Sequence, residues 1–470
     1  MYGGEQFQCI VVVSGNEMNR MLLILILGDF LFSLISLYGG SAVRFRTFTQ
    51  LEASLYWEPG KTIIFILVLL FSSHLLEIYD SNKNTGKKEI LVRIFIAIIV
   101  SFILMSIIYY LIPTVIIGRG LLILSLFFFG SLQFLWHIGY QCCVNMPGLA
   151  KKVLVLGTGP LAGKIGGLIT STNHNHLLGG YINCSSEAVQ VPVHSIVGNG
   201  GGLVDTVRKE KAKKIVISLS ERRGVLPIKD LLACKLSGVE VVDAPSFYEE
   251  LTGKLLIEDI KPSWFVLSDG FRKTGFRSIS KRIFDILFAI ICLAITVLYV
   301  PIIALLIKLD SRGSVFFRQV RTGEGGKDFL IYKFRTMRQD AESETGAVWA
   351  QKNDTRITRM GRFLRKSRLD ELPQLFNVLR GDMSFIGPRP ERPEMITALE
   401  VIIPYYSERH SVKPGITGWA QVKYSYGGSV EDAIEKLKYD LFYIKHMSLF
   451  LDLLILLETV KVVLFGRGGR

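Results

Sequence analysis

Ile283-Phe-Asp-Ile-Leu-Phe-Ala-Ile-Ile-Cys-Leu-Ala-Ile-Thr-Val-Leu-Tyr-Val-Pro-Ile-Ile-Ala-Leu-Leu-Ile307 is apolar apart from Asp285, and it carries a proline at position 301. About 20 such residues suffice to cross a bilayer, so length alone predicts a span. Crossing would put the soluble segments on its two sides in different compartments, and a nucleotide-dependent chemistry would then lack its substrate in one of them. Pro301 offers another path: it removes a backbone hydrogen bond and bends the axis, so that the segment enters and leaves a single leaflet. The basic residues just upstream (Arg272, Lys273, Arg277, Lys281, Arg282) suit snorkelling to headgroups at the point of entry.

The rest of the chain fits a membrane setting. Of its 470 residues 49% are hydrophobic, and the mean hydropathy is positive. Four more apolar segments lie at 21–40, 61–79, 90–112 and 115–140. Polar Glu5, Gln6, Asn16 and Glu17 precede the first, and no cleavage-site pattern follows it, so Met21–Tyr38 reads as a retained helix rather than a signal peptide. Lys83, Lys87, Lys88 and Arg93 mark the connection between the second and third segments as cytoplasmic, and Lys151 and Lys152 do so after the fourth, against the opposing signal of Arg44, Arg46 and Lys61. The net charge of +14 is concentrated in residues 271–470 and favours anionic partners: lipid headgroups, a polyprenyl phosphate, a nucleotide diphosphate. No helix-turn-helix, zinc-finger or RNA-binding signature accompanies it, so nucleic acid is not expected. Cys9, Cys142, Cys143, Cys184, Cys234 and Cys292 show no paired metal spacing and read as small core residues in a reducing compartment.

Residues 151–262 alternate strand and helix patterns. Val153–Leu156 leads into Gly157-Thr-Gly159-Pro-Leu-Ala162 and a helix over 163–171; Ile215–Ser218 and Val239–Val242 read as buried strands around a helix near 227–237. This predicts a Rossmann-like, doubly wound cytoplasmic domain. The glycine loop fits a dinucleotide fingerprint formally, but the following strand, Gly180-Tyr-Ile-Asn183-Cys184, ends without the acid that would hold a ribose, and Pro160 removes an amide that could cradle phosphate. Nucleotide binding and a purely structural or regulatory role both stay open.

Downstream of the apolar segment, Lys333-Phe-Arg335-Thr-Met337 follows a strand-like Phe329–Tyr332, Thr358–Arg368 reads as a basic amphipathic helix, and Pro373 opens a helix that stops at Gly381. Asp370 and Glu371 are then expected at a helix N-terminus, where free amides favour negative charge and can meet phosphate. Cleaving a sugar-phosphate anhydride needs a nucleophile, a divalent cation and donors to the non-bridging oxygens. Adjacent carboxylates can divide those tasks, one attacking phosphorus while the other helps hold Mg2+, which takes only one or two protein carboxylates when substrate phosphate supplies the rest. Arg365 and Arg389, the latter between Pro388 and Pro390, offer guanidinium groups to the phosphates.

Several motifs in order carry a resemblance: Lys333-Phe-Arg335-Thr-Met337, Gly361-Arg-Phe-Leu-Arg365, Leu369-Asp-Glu-Leu-Pro-Gln-Leu-Phe-Asn-Val-Leu379, Gly381-Asp-Met-Ser384, Gly387-Pro-Arg-Pro390 and Lys413-Pro-Gly-Ile-Thr-Gly-Trp-Ala-Gln-Val422. Over 275–465 the chain resembles the bacterial sugar transferase family of monotopic phosphoglycosyl transferases, in the large form that initiates exopolysaccharide or O-antigen synthesis. The resemblance implies transfer of a sugar 1-phosphate from a UDP-sugar to undecaprenyl phosphate, with release of UMP through an aspartyl phosphosugar intermediate. It implies Asp370 as nucleophile, Glu371 as the Mg2+-associated acid with Asp370 beside it, and Lys333, Arg335, Arg365, Pro388, Arg389 and Pro390 as substrate-binding positions. It also implies a re-entrant helix over 283–307 kinked at Pro301, in the bacterial inner membrane with the catalytic domain facing the cytoplasm. Two departures stand out: Val300 replaces the usual serine before the kink proline, and Lys413 replaces an arginine, exchanging a planar fork for a point charge.

The expected architecture is therefore an α/β multi-domain membrane protein: a four-helix transmembrane bundle (1–150), a Rossmann-like domain (151–262) and a membrane-dipping catalytic domain (271–470). Leu449–Phe465, interrupted by Asp452, Glu458 and Lys461, is expected to lie in the interface. A homodimer through the bundle or the middle domain is left open. A nucleotide-sugar epimerase or dehydrogenase centred on Gly157–Ala162, or a non-enzymatic membrane assembly scaffold, are the alternative readings.

Overall fold

The computed structural model describes residues 16–45, 59–79, 87–144, 151–172, 176–184, 188–219, 225–260, 262, 265, 268, 270–271, 275–338, 356–424 and 427–464. Glu5, Gln6, Cys9, Arg46, Lys83, Arg272, Lys273 and Phe465 lie outside them. The chain divides into two compact units, Met1–Thr252 and Gly253–Arg470.

The first unit opens with four apolar helices, Asn16–Phe45, Pro59–Leu75, Lys87–Leu111 and Arg119–Val144. Three of them are long and apolar enough to cross a membrane, while Pro59–Leu75, at 17 residues, sits at the short end of what spans. The fourth helix of that length is elsewhere, over Gly275–Asp310. Leu37, Phe65, Leu69, Met105, Leu126 and Phe129 form an apolar core of the bundle. A buried polar knot joins three of its helices: Gln133 Nε2 donates to Asp29 Oδ2 (2.6 Å) and to Ser73 Oγ (2.9 Å). Such groups find partners on neighbouring helices because a bilayer core offers none.

The alternating segment of this unit forms one five-stranded, all-parallel sheet in the order β3-β2-β1-β4-β5, with β1 Lys151–Leu156, β2 His176–Asn183, β3 Ile196–Asn199, β4 Lys214–Ile217 and β5 Glu240–Asp243. The fully buried run Val153–Leu156 makes β1 the central strand, as its continuous apolar pattern leads one to expect. Helices Pro160–Thr172 and Ile228–Leu236 fall within two or three residues of their expected bounds.

The second unit begins at Gly253, before the boundary near 262 read from composition. Residues 253–260 belong to it because they bond to its helix Val430–His446 and its neighbours: Leu255 N donates to Lys438 O (3.1 Å), and the Trp419 indole donates to Gly253 O (2.9 Å). Its scaffold is an antiparallel ribbon, β6 Phe316–Thr322 with β7 Asp328–Phe334, and a short parallel pair, β8 Ser384–Ile386 with β9 Gly415–Thr417.

The apolar segment runs as helix Gly275–Thr296, a 3-10 turn Val297–Tyr299, and helix Val300–Asp310 with Pro301 in its first turn. Thr296 Oγ1 donates back to Cys292 O (2.7 Å), a bond that also loosens a helix, so a hydroxyl stands near the bend although position 300 has none. Ala289 shares an apolar cluster with Ile331, and Ile303 and Ile307 share another with Phe334.

Candidate active site

Asp370 and Glu371 stand on their own 3-10 turn, Leu369–Glu371, between helices Arg359–Ser367 and Gln374–Arg380. This differs from the expected helix N-terminus: helix Gln374–Arg380 starts only after Pro373, so cationic side chains rather than a helix dipole surround the pair. Entry to the turn goes through Arg368, which adopts left-handed backbone angles (φ 59°, ψ 12°), a conformation that costs a non-glycine residue roughly 1 kcal/mol or more. The same distortion brings the Arg368 guanidinium to 3.9 Å from Glu371 Oε1.

Both carboxylates are buried, with 7% and 6% of their surface exposed, yet they are held very differently. Glu371 Oε1 accepts from Arg389 Nη2 (2.8 Å) and from Lys333 Nζ (3.3 Å). Burial alone would raise its pKa, but Arg389, Lys333 and Arg368 outweigh burial and keep Glu371 well below the usual carboxylate range. Asp370 Oδ1 is buried and has no hydrogen-bond partner among the described residues. Burial, followed by the charge of Glu371, pushes Asp370 up to about 6 against the pull of Lys333, Arg365 and Arg368. The dyad thus contains one firmly ionised, clamped carboxylate and one whose pKa burial raises to about 6.

Each cation is fixed from behind. Lys333 is on β7, and Asn377 sets the position of that strand by accepting from Tyr332 N (3.1 Å) while its amide donates to Leu330 O (2.7 Å). A buried side-chain amide here replaces a neighbouring strand, and it ties the strand to the helix that follows the dyad. Burial lowers the Lys333 pKa and Glu371 raises it again in part. Arg389 is presented by the Gly387-Pro388-Arg389-Pro390 turn, whose backbone is held at every step. Gly387 N donates to Thr417 O (2.9 Å), Gly415 N to Pro388 O (2.9 Å), Arg409 Nη2 to Arg389 O (3.0 Å) and Arg321 Nη1 to Pro390 O (3.1 Å). A Cβ at Gly387 would stand 2.4 Å from Lys413 O, so only glycine lets the turn lie this close to the strand beside it. Pro388 and Pro390 are buried and act through this fixed backbone.

Of the positions expected to bind substrate, Lys333 and Arg389 converge on Glu371, and Arg365 lies close enough for its charge to lower Asp370 while its Nε donates to Thr336 Oγ1 (2.9 Å). Arg335 is placed apart from the carboxylates: its Nη2 donates to Ser311 O (2.7 Å) and Ser311 Oγ (3.0 Å), just past the end of helix Val300–Asp310. Arg368 joins the site although its motif gave it no role, and its left-handed backbone is invisible in a sequence. The Arg409–Asp440 ion pair (2.8 Å) behind the Arg389 turn was also missed, because its partners are 31 residues apart and follow no short motif.

The fit to a divalent cation is limited but real. Among the described residues no three His, Cys, Asp or Glu side chains gather as ligands. Asp370 Oδ1 is a buried oxygen with no hydrogen-bond partner among the described residues, and Glu371 beside it is ionised, a donor set that suits an ion whose remaining ligands come from substrate and water.

Residues 276–466 match the sequence model of the bacterial sugar transferase family. The chain is similar to a UDP-N-acetylgalactosamine–undecaprenyl-phosphate N-acetylgalactosaminephosphotransferase of Aeromonas hydrophila, with 42% identity over 51% of this chain and 56% of that protein. It is similar to a UDP-glucose:undecaprenyl-phosphate glucose-1-phosphate transferase of Xanthomonas campestris pv. campestris, with 46% identity over 42% of this chain and 41% of that one. An exopolysaccharide production protein of Rhizobium leguminosarum bv. phaseoli is 41% identical over 38% of this chain, and 92% of that protein is covered. The chain spans about half the length of the first two relatives.

Proposed function

The chain belongs to the bacterial sugar transferase family, and from that premise we propose that it moves a sugar 1-phosphate from a UDP-sugar to undecaprenyl phosphate at the cytoplasmic face of the bacterial inner membrane, beginning the assembly of an exopolysaccharide or O-antigen. The observation that carries this reading is the asymmetry of the dyad: Asp370 has a buried oxygen with no hydrogen-bond partner among the described residues, beside a Glu371 already neutralised by cations.

In the first step an Asp370 carboxylate oxygen attacks the β-phosphorus of the UDP-sugar. The bond from that phosphorus to the bridging oxygen breaks, UMP leaves with the bridging oxygen and its electron pair, and an aspartyl phosphosugar remains. In the second step an oxygen of the lipid phosphate attacks the same phosphorus, and the acyl phosphate bond breaks to return the Asp370 carboxylate. Arg389 and Lys333 stand where the diphosphate oxygens gather charge, and Arg365 and Arg368 add to that field. Glu371 fixes the two nearest cations and keeps them oriented. Mg2+, held by Glu371 and Asp370 together with diphosphate oxygens, would neutralise the donor's charge when bound.

The same reading makes the apolar hairpin re-entrant. Both arms carry anchors to one unit: Arg282 donates to Val378 O (2.6 Å) and Leu379 O (2.8 Å) before the bend, and Asp310 Oδ2 accepts from Met360 N (2.9 Å) after it. The parallel sheet order supports a Rossmann-like middle domain. The named relatives use different sugars, so the sugar is to be read from assay. UMP release is measured in lipid nanodiscs with Mg2+, undecaprenyl phosphate and each of several UDP-sugars, beside Asp370→Asn. Release with one sugar, lost in the variant, is the expected result; release by a folded Asp370→Asn protein would remove the covalent step.

A further inference from the structure

Arg335 is 6% exposed, and among the described residues only one of its three guanidinium nitrogens, Nη2, has a hydrogen-bond partner. Nε and Nη1 are buried and meet no partner among those residues. A guanidinium stays ionised at any physiological pH, and a buried cation without a counter-charge is costly enough that folds rarely retain one without an anion to meet it.

Its position says which anion. Ser311, the residue that holds Arg335 in place, directly follows helix Val300–Asp310, so the guanidinium lies where the apolar hairpin ends. The outer face of that helix is exposed and apolar, with Ile302, Leu305 and Leu309 lying along it. From the other side the site is closed by helix Arg359–Ser367, which approaches so tightly that a Cβ on Gly361 would stand 2.0 Å from Thr336 O. Arg365 on that helix donates to Thr336 Oγ1, so a second guanidinium borders the neighbouring residue. Arg335 lies two residues beyond Lys333 and one past the end of β7, where its N–H still donates to Val315 O (2.9 Å), about 7 Å further from the ribbon's turn. Lys333 and Arg389 are committed to Glu371, where the donor's diphosphate is expected, and the unfilled cation stands off toward the hairpin end.

We infer that Arg335 is the docking point for the phosphomonoester headgroup of the lipid acceptor, received where the hairpin meets the headgroup layer. This assignment rests on the proposed reaction and deepens it: it separates a donor side, built on Lys333 and Arg389, from an acceptor side, built on Arg335. A phosphate on an apolar chain reaches this point without leaving the bilayer, and a planar guanidinium offers it directional donors.

The test uses wild type, Arg335→Lys and Arg335→Met in nanodiscs, with donor and undecaprenyl phosphate varied separately. The expected result is a KM for the lipid raised on the order of 10- to 100-fold, the size of a lost charge-assisted contact, with the KM for the UDP-sugar and the lipid-independent burst of UMP retained. An unchanged lipid KM in Arg335→Lys, or a change confined to the donor KM, would overturn it. If Arg335→Met does not fold, thermal protection decides. Undecaprenyl phosphate without donor should raise the melting temperature of wild type and not of Arg335→Lys, and equal protection of both would overturn the assignment. Inorganic phosphate is the control: protection as large as that by the lipid would make this a general anion site and overturn its assignment to a headgroup. A wild type that releases no UMP with any UDP-sugar would instead sink the proposed reaction, an outcome separate from all of these.

Discussion

Asp285 lies inside the apolar helix Gly275–Thr296, and its Oδ1 accepts from Ser384 Oγ (2.9 Å) and from Phe385 N (3.0 Å) on β8. This carboxylate thus fastens helix Gly275–Thr296 to the strand that leads into the Gly387-Pro388-Arg389-Pro390 turn. Lys281, one helical turn earlier, stands 3.8 Å from it and also donates to Asp452 Oδ2 (2.9 Å). Replacing Asp285 with leucine should cost about 3–5 kcal/mol of unfolding free energy in detergent, because the Lys281 ammonium and the Ser384 hydroxyl lose a buried partner. Asp285→Asn retains an acceptor and should cost roughly half as much or less. Equal stability of Asp285→Leu and wild type would show the contact to be incidental.

Much of the architecture was legible because it rests on period and length. The bundle helices, the buried run Val153–Leu156 and the stop at Gly381 follow from apolar patterning and one left-handed glycine (φ 99°). Helix Leu449–Leu464 was legible only by half. Its charges point inward: Asp452 is fully buried against Lys281 and the Tyr443 hydroxyl (2.8 Å), and Lys461 is buried beside Glu458, while Leu449, Phe450 and Leu453 face out. Composition announced a charged interfacial helix, but which face carries the charge depends on partners such as Lys281, 171 residues from Asp452 in sequence. The dyad was legible as a motif, and its asymmetry was not, since Asn377, Arg368 and Arg409 act through contacts made only in the folded chain.

The raised pKa of Asp370 predicts a rate profile. An attacking carboxylate must be ionised, so the UMP burst should rise with pH through a limb near 6 and level above it. An acid limb near 4, the ordinary range for aspartate, would mean that Asp370 is not the titrating nucleophile.

It also predicts a stability effect of opposite direction. A carboxylate whose folded pKa exceeds its unfolded value favours the fold while protonated, below about pH 4, and that contribution is lost as pH rises through about 6. Asp370→Asn should therefore melt at a higher temperature than wild type at pH 7.5, by a free-energy margin of up to roughly 3 kcal/mol, with the gap closing at pH 4. A pH-independent gap would deny that the buried charge is its cause.

On the proposed re-entrant reading, a bend at Val297–Tyr299 would place both ends of the apolar segment on one side of the membrane. In a cysteine-free background, Arg277→Cys and Arg312→Cys, both exposed, should react with an impermeant maleimide from the same face of sealed vesicles. Reaction of the two from opposite faces would make the segment an ordinary span.

Arg409 tests whether the Arg389 turn must be held from behind. It is buried, and its guanidinium donates to Asp440 Oδ2 (2.8 Å), to Arg389 O (3.0 Å) and to the Tyr406 hydroxyl (2.6 Å). Burial raises Asp440 to about 6 despite Arg409, so this carboxylate depends on its partner for charge compensation. Arg409→Met should destabilise the enzyme by about 3–5 kcal/mol, since it strands a buried acid, and Arg409→Met with Asp440→Leu should recover most of that loss. Catalysis should part from stability in the double variant: the Arg389 carbonyl loses its donor, the guanidinium is presented less firmly to Glu371, and the UMP burst should fall although the melting temperature returns. If activity returned with stability, Arg409 would serve the fold alone.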